Sequence, residues 1–346
     1  MIKMSYFMLK RLKSQSSCNI ITLCILKGRL HMSNFTIISN TFCDLTAELR
    51  KRFGVEDYAR GVIYYPDGHD ELGTLDWEQM TPEEYYNSMK SKKTLYKTAA
   101  VPVGELTEVF ERHVSKGEDI LYITLSSALS STYSEACTVA ENLMKKYEGR
   151  KILCIDSKRY STSLGLIVVM ASMKRAEGAT LEETFEYIEN VKHTVHQMGP
   201  MDDLFFLCKT GRISNFKAFF GSLVGVNPLA DFNRAGLSEV ITKAKGKSAA
   251  FELTLGYIEK TIVNPEEQII FVAHSNREKY ALQLADKIRE KFNPKEVIVN
   301  PVGMSCGASI GPGLCAAFYQ GTPISEDYSK EKAIMAELQE TLKNTK

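Results

Sequence analysis

Short apolar runs along this chain end in polar residues, a pattern that predicts buried strands with polar side chains at one edge of a sheet. These runs and the polar residues that follow them are ILYITL before Ser126, Ser127, Ser130, Ser131 and Thr132, FTIIS before Asn40 and Thr41, and KILCID before Ser157 and Ser161. Such runs are typical of strands covered on both faces, as in parallel sheets. Ligands of these sheets bind beyond the carboxyl ends of the strands. Because none of the three runs brings a histidine, a metal cluster or a cysteine pair, the pattern favours a binding crevice over a reaction centre.

Helical patterns separate these strands. Capping boxes at Thr81 to Glu84 and at Thr180 to Glu183 predict two helix starts. Further helices are predicted over 104–117, 131–147 and 163–176, and an apolar stripe at 181, 185, 188, 191 and 195 extends the helix after Thr180. This alternation predicts a right-handed, mostly parallel α/β domain over residues 35–197.

The pattern of predicted elements changes near residue 198, where the alternation of strands and helices gives way to a hairpin. VNPLADF and LSEVITKA flank the turn sequence Asn233–Gly236 and predict an antiparallel hairpin. EQIIFVAHS and EVIVNPVG predict two more strands, with a helix near 277–292 between them. We therefore expect a smaller α+β C-terminal domain over 198–325 and a helical tail over 326–346.

Composition and charge narrow the class of protein. The chain is 44% hydrophobic and 25% charged, with a net charge of +1. Of its 43 Lys and Arg, six lie in residues 1–34, which hold no Asp or Glu; the remaining 37 face all 42 acidic residues, a net charge of −5. This acidic body argues against nucleic-acid binding. The longest apolar stretches, around 19–26 and 164–173, are too short for stable membrane insertion.

Residues 1–34 are predicted to be an extension outside the fold. They resemble a signal peptide only in part, because no small-residue cleavage site follows the apolar patch. Met32 directly precedes the first strand, so our hypothesis is that residues 1–31 are an upstream over-read of a cytoplasmic protein. The eight cysteines contain no C-x-x-C pair and fit small buried residues in a reducing compartment.

Three motifs suggest catalysis, metal binding or phosphate binding, but each lacks a residue that the function requires. GMSCG places Ser305 as in a nucleophile elbow, but no histidine follows it, so a tight turn is favoured. His193 and His196 are three apart on the predicted helix and have no acid or cysteine at metal-ligand spacing, so a solvated helix face is favoured. GKS at 246–248 lacks the first glycine of a phosphate loop. No metal or cofactor is predicted.

Two further motifs leave alternatives open. GASIGPG (307–313) forms either a tight backbone whose N–H groups meet an anion or an ordinary turn. CKTGRIS places Arg212 after a glycine, amid an apolar run that includes Phe206, Phe216 and Phe219. That segment is either a buried helix of the second domain or a site where the arginine meets a carboxylate, a phosphate or another protein.

Several pieces of the chain, in this order, resemble the DegV family of bacterial fatty-acid-binding proteins over roughly residues 35–320. They are IISNTFCDL, KTAAVPVGE, LSSALSSTYSEA, IDSKRYSTSLGL, DDLFFLCKTGRIS, VNPLADFNRAGLSEVITKAKGK, AHSNREKYA and SIGPG. The resemblance implies an α/β domain, a smaller α+β domain and a lipid between them. It also implies that the bound long-chain fatty acid is handed to a separate kinase, which converts the carboxylate to an acyl phosphate for phospholipid synthesis.

The resemblance also implies the residues of the site. Thr98 and Ser130 match the hydroxyl residues that hold the carboxylate, and Arg212 matches a position near the head group and the partner. Thr41 and Ser309 complete the predicted ligand-binding set. Ser309 stands where the family often has histidine, Asn40 where it has aspartate, and Ala99 and Ala100 follow Thr98 in place of Ser-Gln.

We therefore predict a cytoplasmic fatty-acid-binding protein that is not itself catalytic. One alternative is a serine- or phosphoryl-transfer enzyme that uses the same crevice, for which the strand ends offer only Asp156 as a base. The other is a regulatory protein that senses lipid and acts on a partner.

Overall fold

The computed structural model describes residues 35–55, 57–202, 204–213 and 225–344. Its strands are β1 (Phe35–Asn40), β2 (Tyr58–Ala59), β3 (Val62–Tyr64), β4 (Asp70–Leu72), β5 (Lys97–Ala99), β6 (Asp119–Thr124), β7 (Ile152–Asp156), β8 (Val195–Met198), β9 (Val226–Phe232), β10 (Ser238–Lys245), β11 (Ile269–His274), β12 (Glu296–Pro301) and β13 (Cys315–Gln320). Its α-helices are α1 (Ala47–Arg52), α2 (Pro82–Met89), α3 (Val103–Val114), α4 (Thr132–Lys146), α5 (Thr162–Ala176), α6 (Leu181–Val191), α7 (Phe205–Thr210), α8 (Lys247–Thr261), α9 (Glu278–Phe292), α10 (Met304–Ile310) and α11 (Ser329–Asn344). The predicted extension 1–34 and the residues Phe216 and Phe219 lie outside the described residues.

The first sheet is parallel, with strand order β2-β1-β6-β7. Adjacent residues of its central strands, such as Ile37 with Ile38 and Leu121 with Tyr122, are all fully buried. Both faces are therefore covered, which explains why these strands are continuous apolar runs. The three predicted strands lie side by side and their carboxyl ends meet at one edge, as the sequence predicts.

The second main sheet is mixed, with order β12-β11-β13-β8. β11 is parallel to β12, whereas β13 is antiparallel to both β11 and β8. The predicted hairpin is present as β9 and β10. At its turn Gly236 has φ of +88°, and a Cβ there would lie 2.0 Å from Ser126 Oγ. The hairpin turn thus packs closely against the loop that follows β6.

Helix α5 lies between the two main sheets. It contacts β1 and β6 on one side and β8, β11 and β13 on the other. Its residues from Thr162 to Ser172 are all buried, as expected for a helix that is apolar around its whole circumference. Gly165 is needed at the closest approach, because a Cβ there would lie 2.3 Å from the Cys43 carbonyl oxygen. The predicted α/β class, with a mostly parallel sheet and a second α+β part, is confirmed.

The predicted helix after Thr180 is too long. α6 ends at Val191, residues Lys192–Thr194 form a 3₁₀ turn, and Val195–Met198 is a strand paired with β13. Val195 continues the helical stripe by spacing alone, but pairing with a strand more than a hundred residues away decides its conformation. The chain therefore enters the second sheet at β8, before residue 198. The division into two domains at residue 198 remains a prediction.

A small antiparallel sheet of order β4-β3-β5 completes the described architecture. Helix α2, which lies between β4 and β5 along the chain, begins at the predicted capping box, in which Thr81 and Glu84 are hydrogen-bonded reciprocally. Among the described residues, no helix combines the length and the apolar character that a bilayer crossing requires.

Candidate functional site

A crevice of about 260 Å³ opens at the carboxyl edge of the first sheet. The crevice residues are Phe42, Thr98, Ala99, Ala100, Leu125, Leu129, Ser130, Ser131, Tyr160, Arg212 and Ser309. Four predicted site residues, Thr98, Ser130, Ser309 and Arg212, therefore line one space although they lie far apart in sequence. The fifth, Thr41, does not line it.

Two segments that carry hydroxyl groups are tied together at the crevice. Thr98 lies on β5, opposite Ile63 of β3. The N–H of Val101, just beyond β5, donates to Thr132 Oγ1 at 3.2 Å at the start of α4. This bond holds the Thr98 segment beside the Ser130 loop.

The hydroxyl of Ser130 is oriented by Thr132. Ser130 Oγ lies 2.9 Å from Thr132 Oγ1 and accepts the Thr132 N–H at 3.3 Å. Either hydroxyl can donate in this pair, because Thr132 Oγ1 has a second acceptor site beside the one that Val101 uses. When Thr132 donates, the Ser130 hydrogen can point into the crevice, which suits an acceptor such as a carboxylate.

Arg212 reaches the crevice because helix α7 ends just before it. Gly211 caps the helix in the left-handed conformation with φ of +71°, and the N–H of Arg212 turns back to the Leu207 carbonyl at 3.0 Å. The guanidinium donates to the Thr210 carbonyl and is partly exposed. It supplies a positive charge with further donors in a planar group, which matches the geometry of a carboxylate.

Ser309 and Tyr160 also line the crevice. Ser309 is almost fully buried near the end of α10, and the Tyr160 hydroxyl donates to the Ser305 carbonyl of the same helix at 3.4 Å. Tyr160 stacks on Phe42 with ring centroids 6.0 Å apart. Burial holds the pKa of Tyr160 well above its ordinary value, so the phenol stays neutral. Sequence reasoning missed Phe42 and Tyr160, although both lie inside motifs that carry the family resemblance.

A narrow apolar opening continues from the crevice between the sheets. It shares Leu129, Tyr160 and Arg212 with the crevice and is otherwise lined mainly by apolar residues, among them Met201, Leu207, Phe232, Ile310, Leu314 and Phe318. Its volume of about 30 Å³ has room for only one or two water molecules. An acyl chain therefore needs these side chains to move apart.

Thr41 and Asn40 have structural roles at the sheet edge. Thr41 Oγ1 accepts the Gly61 N–H at 3.0 Å, and the Asn40 amide donates to Thr124 Oγ1 at 2.7 Å and to the Tyr122 hydroxyl at 3.1 Å. Both side chains are buried. They fix the loops around the crevice rather than line it.

Asp156 is likewise engaged by its own loop. Its carboxylate accepts the N–H groups of Ser127 at 3.1 Å and Lys158 at 3.1 Å and pairs with the Lys158 ammonium at 2.7 Å. Burial alone would raise the pKa of Asp156, but these hydrogen bonds lower it on balance. The carboxylate therefore stays ionised and bonded, which leaves it poorly suited to act as the base of an enzyme.

Asp44 is a buried carboxylate in the IISNTFCDL motif, and the sequence analysis predicts no role for it. It accepts hydrogen bonds from Ser161, from Thr162 Oγ1 at 3.2 Å and from the Gly303 N–H at 3.0 Å. These donors stand at the starts of α5 and α10, where helix dipoles favour negative charge. Burial nevertheless raises the pKa of Asp44 to about 6. We call this group of residues the Asp44 clasp, because it joins the loop after β1 to both helices.

The glycine-rich motif GASIGPG and the motif GMSCG form contacts within the protein rather than a ligand site. The N–H groups of Gly311 and Gly313 donate to the carbonyls of Gly307 at 2.7 Å and Ser275 at 2.8 Å, so the anion-binding alternative is wrong for these groups. GMSCG begins helix α10 rather than forming the expected tight turn, and Ser305 is fully buried within it. A buried hydroxyl inside a packed helix is not placed to act as a nucleophile.

The two histidines do not lie on a solvated helix face. His196 is fully buried on β8, with Nδ1 3.0 Å from Asp231 Oδ2 and Nε2 2.8 Å from the Thr322 carbonyl oxygen. Asp231 lies on β9, too distant in sequence for a spacing rule to reveal it. His193 is half-buried in the 3₁₀ turn, and burial lowers its pKa to about 4. Within the described ranges no three His, Cys, Asp or Glu side chains are grouped to hold a metal ion.

Comparison with known proteins agrees with this architecture. The family model described as "Uncharacterised protein, DegV family" matches residues 34–322. A DegV domain-containing protein of Clostridium perfringens is 32% identical over 290 residues, which are 84% of this chain and 98% of the relative.

Two solved structures share the fold. A DegV family protein from Thermus thermophilus, described as fatty acid binding, has a TM-score of 0.74 at 22% identity, covering 83% of this chain and 99% of that one. The Streptococcus pneumoniae fatty acid kinase B3 protein, loaded with linoleic acid, has a TM-score of 0.69 at 19% identity, covering 83% and 99%. Since the family model spans most of the sequence and the Clostridium relative is similar over nearly its whole length, the chain belongs to the DegV family.

Proposed function

We propose that this protein binds a long-chain fatty acid with its carboxylate in the crevice and presents it to a separate kinase that forms the acyl phosphate. The observation that carries the proposal is the meeting of Thr98, Ser130, Ser309 and Arg212 in one crevice that continues into an apolar opening. Hydroxyl donors and a guanidinium suit a carboxylate, and the apolar lining suits a hydrocarbon.

The related structures support the choice of ligand. The Thermus protein is described as fatty acid binding and the Streptococcus protein as loaded with linoleic acid, and both share this fold. The name of the latter as a fatty acid kinase B3 protein supports a kinase as the partner. The cytoplasm, where such a kinase would meet its ATP, remains the expected location.

The two ends of the ligand contribute differently to binding. Burial of an acyl chain contributes about 0.8 kcal/mol per methylene, so a long chain supplies on the order of 10 kcal/mol before association costs. A hydrogen bond to the charged carboxylate contributes about 1.5–3 kcal/mol. The chain therefore sets the affinity, while Thr98, Ser130 and Arg212 set the position of the head group.

The composition of the crevice supports a presenting role over the enzyme alternative. Among the described residues that line it, none is His, Asp or Glu. Phosphoryl transfer to a carboxylate also needs a bound nucleotide and charge stabilisation around the phosphate. In this proposal the kinase supplies both, and Arg212 lies partly exposed near the head group, where it can meet the partner.

The first test is mass spectrometry of small molecules extracted from the purified protein, where we expect long-chain fatty acids. Calorimetry with oleate on delipidated protein then compares Thr98→Ala and Ser130→Ala with Thr138→Ala, a control that removes an exposed hydroxyl from α4. We expect a loss of roughly tenfold in affinity for each site variant, corresponding to about 1.5 kcal/mol, and no change for the control. Unchanged affinity in both site variants would show that the carboxylate binds elsewhere.

The presenting role has a separate test. Oleoyl phosphate should form from ATP only when the loaded protein and a bacterial fatty acid kinase are mixed. Formation by the protein alone would favour the enzyme alternative, whereas intact lipid binding with no product from any such kinase would favour the lipid-sensing regulator.

A further inference from the structure

Three exposed apolar side chains lie on or beside the small sheet that carries Thr98. Among the described residues, the large hydrophobic side chains that are strongly exposed are Tyr64 at 41%, Leu72 at 38%, Val103 at 53% and Leu282 at 47%. Tyr64 lies on β3, Leu72 lies on β4, and Val103 begins α3 just after β5, whereas Leu282 lies on α9. Exposed apolar residues that are scattered singly are normal, but a group on one surface indicates contact with another molecule.

Strand pairing places residues of all three strands on one face of the small sheet. Residues directly opposite each other in neighbouring strands share a face, as do alternate residues of one strand. The face formed in this way contains Val62, Tyr64, Asp70, Leu72, Lys97 and Ala99. We call these residues the outer sheet face, because Ile63, between Val62 and Tyr64, is buried on the other side. Ala99 also lines the crevice, so the outer sheet face extends to the crevice.

Positive charge lies at the β5 edge of this face and negative charge at its β4 edge. The exposed lysines of β5 and of the segment before it are Lys90, Lys92, Lys93 and Lys97. No Asp or Glu occurs in residues 85–104. Across Tyr64 from Lys97, β4 carries the exposed Asp70. Another protein can match both signs of charge, whereas an anionic bilayer would attract the lysines and repel Asp70.

We propose that the outer sheet face is the surface on which the kinase docks, an inference that rests on the proposed function. Phosphoryl transfer requires the nucleotide and the carboxylate to be in contact. The kinase therefore has to cover the open side of the crevice, and Ala99 belongs both to the crevice and to the outer sheet face. The contact surface of the kinase is then apolar opposite Tyr64 and Leu72 and acidic opposite Lys97. Because tyrosine is enriched among residues that dominate interface energies, Tyr64 is the expected anchor.

The test measures oleoyl phosphate formation at increasing concentrations of the oleate-loaded protein, with a fixed amount of a bacterial fatty acid kinase. Tyr64→Ser and Leu72→Ser should each raise the KM for the loaded protein by about tenfold, as expected for residues at the centre of an interface. The kcat should stay unchanged, because docking contacts are equally strong in the ground state and the transition state. Calorimetry should give an unchanged oleate affinity, since neither side chain lines the crevice. Leu282→Ser, which removes an equally exposed leucine from α9, is the matched control and should leave KM unchanged.

The charge at the β5 edge has its own test. Lys97→Glu should raise the KM for the loaded protein several-fold at low ionic strength and by less at high ionic strength, because salt screens the contact between exposed charges. An equal rise at both ionic strengths would contradict the acidic contact surface assigned to the kinase.

The alternative occupants of the face give different results. Product from the wild type with unchanged KM in Tyr64→Ser and Leu72→Ser would overturn this inference and leave the proposed function intact. No product from the wild type with any such kinase would overturn both. Unchanged KM together with lost binding to phosphatidylglycerol vesicles would assign the face to a membrane surface. Unchanged KM together with the loss of a dimer in sedimentation would assign it to a second copy of this chain.

Discussion

The Asp44 clasp and the crevice gather the same kinds of donor near the same edge of the first sheet, but only the clasp contains its own carboxylate. In the clasp, Ser161, Thr162 and the Gly303 N–H all donate to Asp44. In the crevice, Ser130 is hydrogen-bonded to Thr132, and when Thr132 donates the Ser130 hydroxyl can donate to a ligand. The comparison teaches that hydroxyl groups alone do not mark a ligand site. What distinguishes the crevice is that none of the described residues that line it is Asp or Glu, although one lining hydroxyl, that of Ser131, donates to Glu135 outside it at 2.7 Å.

The clasp also bears a conformational cost that the Ser130 side does not. Asp44 and Ser161 have φ of +54° and +60°, in the left-handed region that residues other than glycine rarely adopt. Their mutual hydrogen bond and the two helix starts hold this geometry. We therefore expect changes in the clasp to affect stability and changes in the crevice to affect binding.

The largest expected effect is that of Asp44→Ala. The substitution leaves the donors of Ser161, Thr162 and Gly303 buried without an acceptor, and each such group costs about 1–3 kcal/mol. We expect the free energy of unfolding in urea to fall by about 3–5 kcal/mol. Asp286→Ala, which removes an exposed carboxylate on α9, is the control and should change it by less than about 0.5 kcal/mol. A similar loss in both variants would mean that Asp44 is not a structural link.

The second effect concerns pH. The folded-state pKa of Asp44, about 6, lies above its unfolded value of 3.8, so the folded state binds the extra proton. This contribution to stability is fully present below about pH 4 and is lost as the pH rises through 6. Relative to Asp44→Asn, which does not titrate there, the wild type should lose about 2–3 kcal/mol between pH 4 and pH 7.5. Parallel stability curves for the two proteins would contradict the raised pKa.

A smaller effect is expected where the crevice loop is tied to the fold. Thr132→Val keeps the shape of the side chain but removes the acceptor of the Val101 N–H and the partner of Ser130. We expect about 1–2 kcal/mol less stability and a few-fold weaker oleate binding. Thr138→Val on the same helix is the control and should leave both quantities unchanged. Weaker binding at full stability would instead indicate that Thr132 contacts the ligand itself.

The sequence predicts the sheet edge well because its signals are local. The apolar runs that precede Thr41, Ser126 and Ser157 become adjacent parallel strands. The resemblance to the family predicts Thr98, Ser130, Ser309 and Arg212 as site residues, and these four line one crevice. What it cannot give are the partners fixed by distant pairing. Asp231 beside His196, and Gly303 beside Asp44, lie on elements far apart along the chain. Val195 shows the same limit, since its helical spacing yields to pairing with β13.

Thr41 gives the smallest and most discriminating prediction, because sequence reasoning assigned it to the ligand and the fold uses its hydroxyl elsewhere. Thr41 Oγ1 accepts the Gly61 N–H and the side chain is almost fully buried. Thr41→Val should therefore cost about 1 kcal/mol of stability and leave the oleate affinity unchanged, whereas Ser130→Ala should do the reverse. Urea unfolding and calorimetry on the same two variants separate these effects. If Thr41→Val weakens binding as much as Ser130→Ala does, the crevice extends to the end of β1, and the division between structural and ligand-binding hydroxyls must be redrawn there.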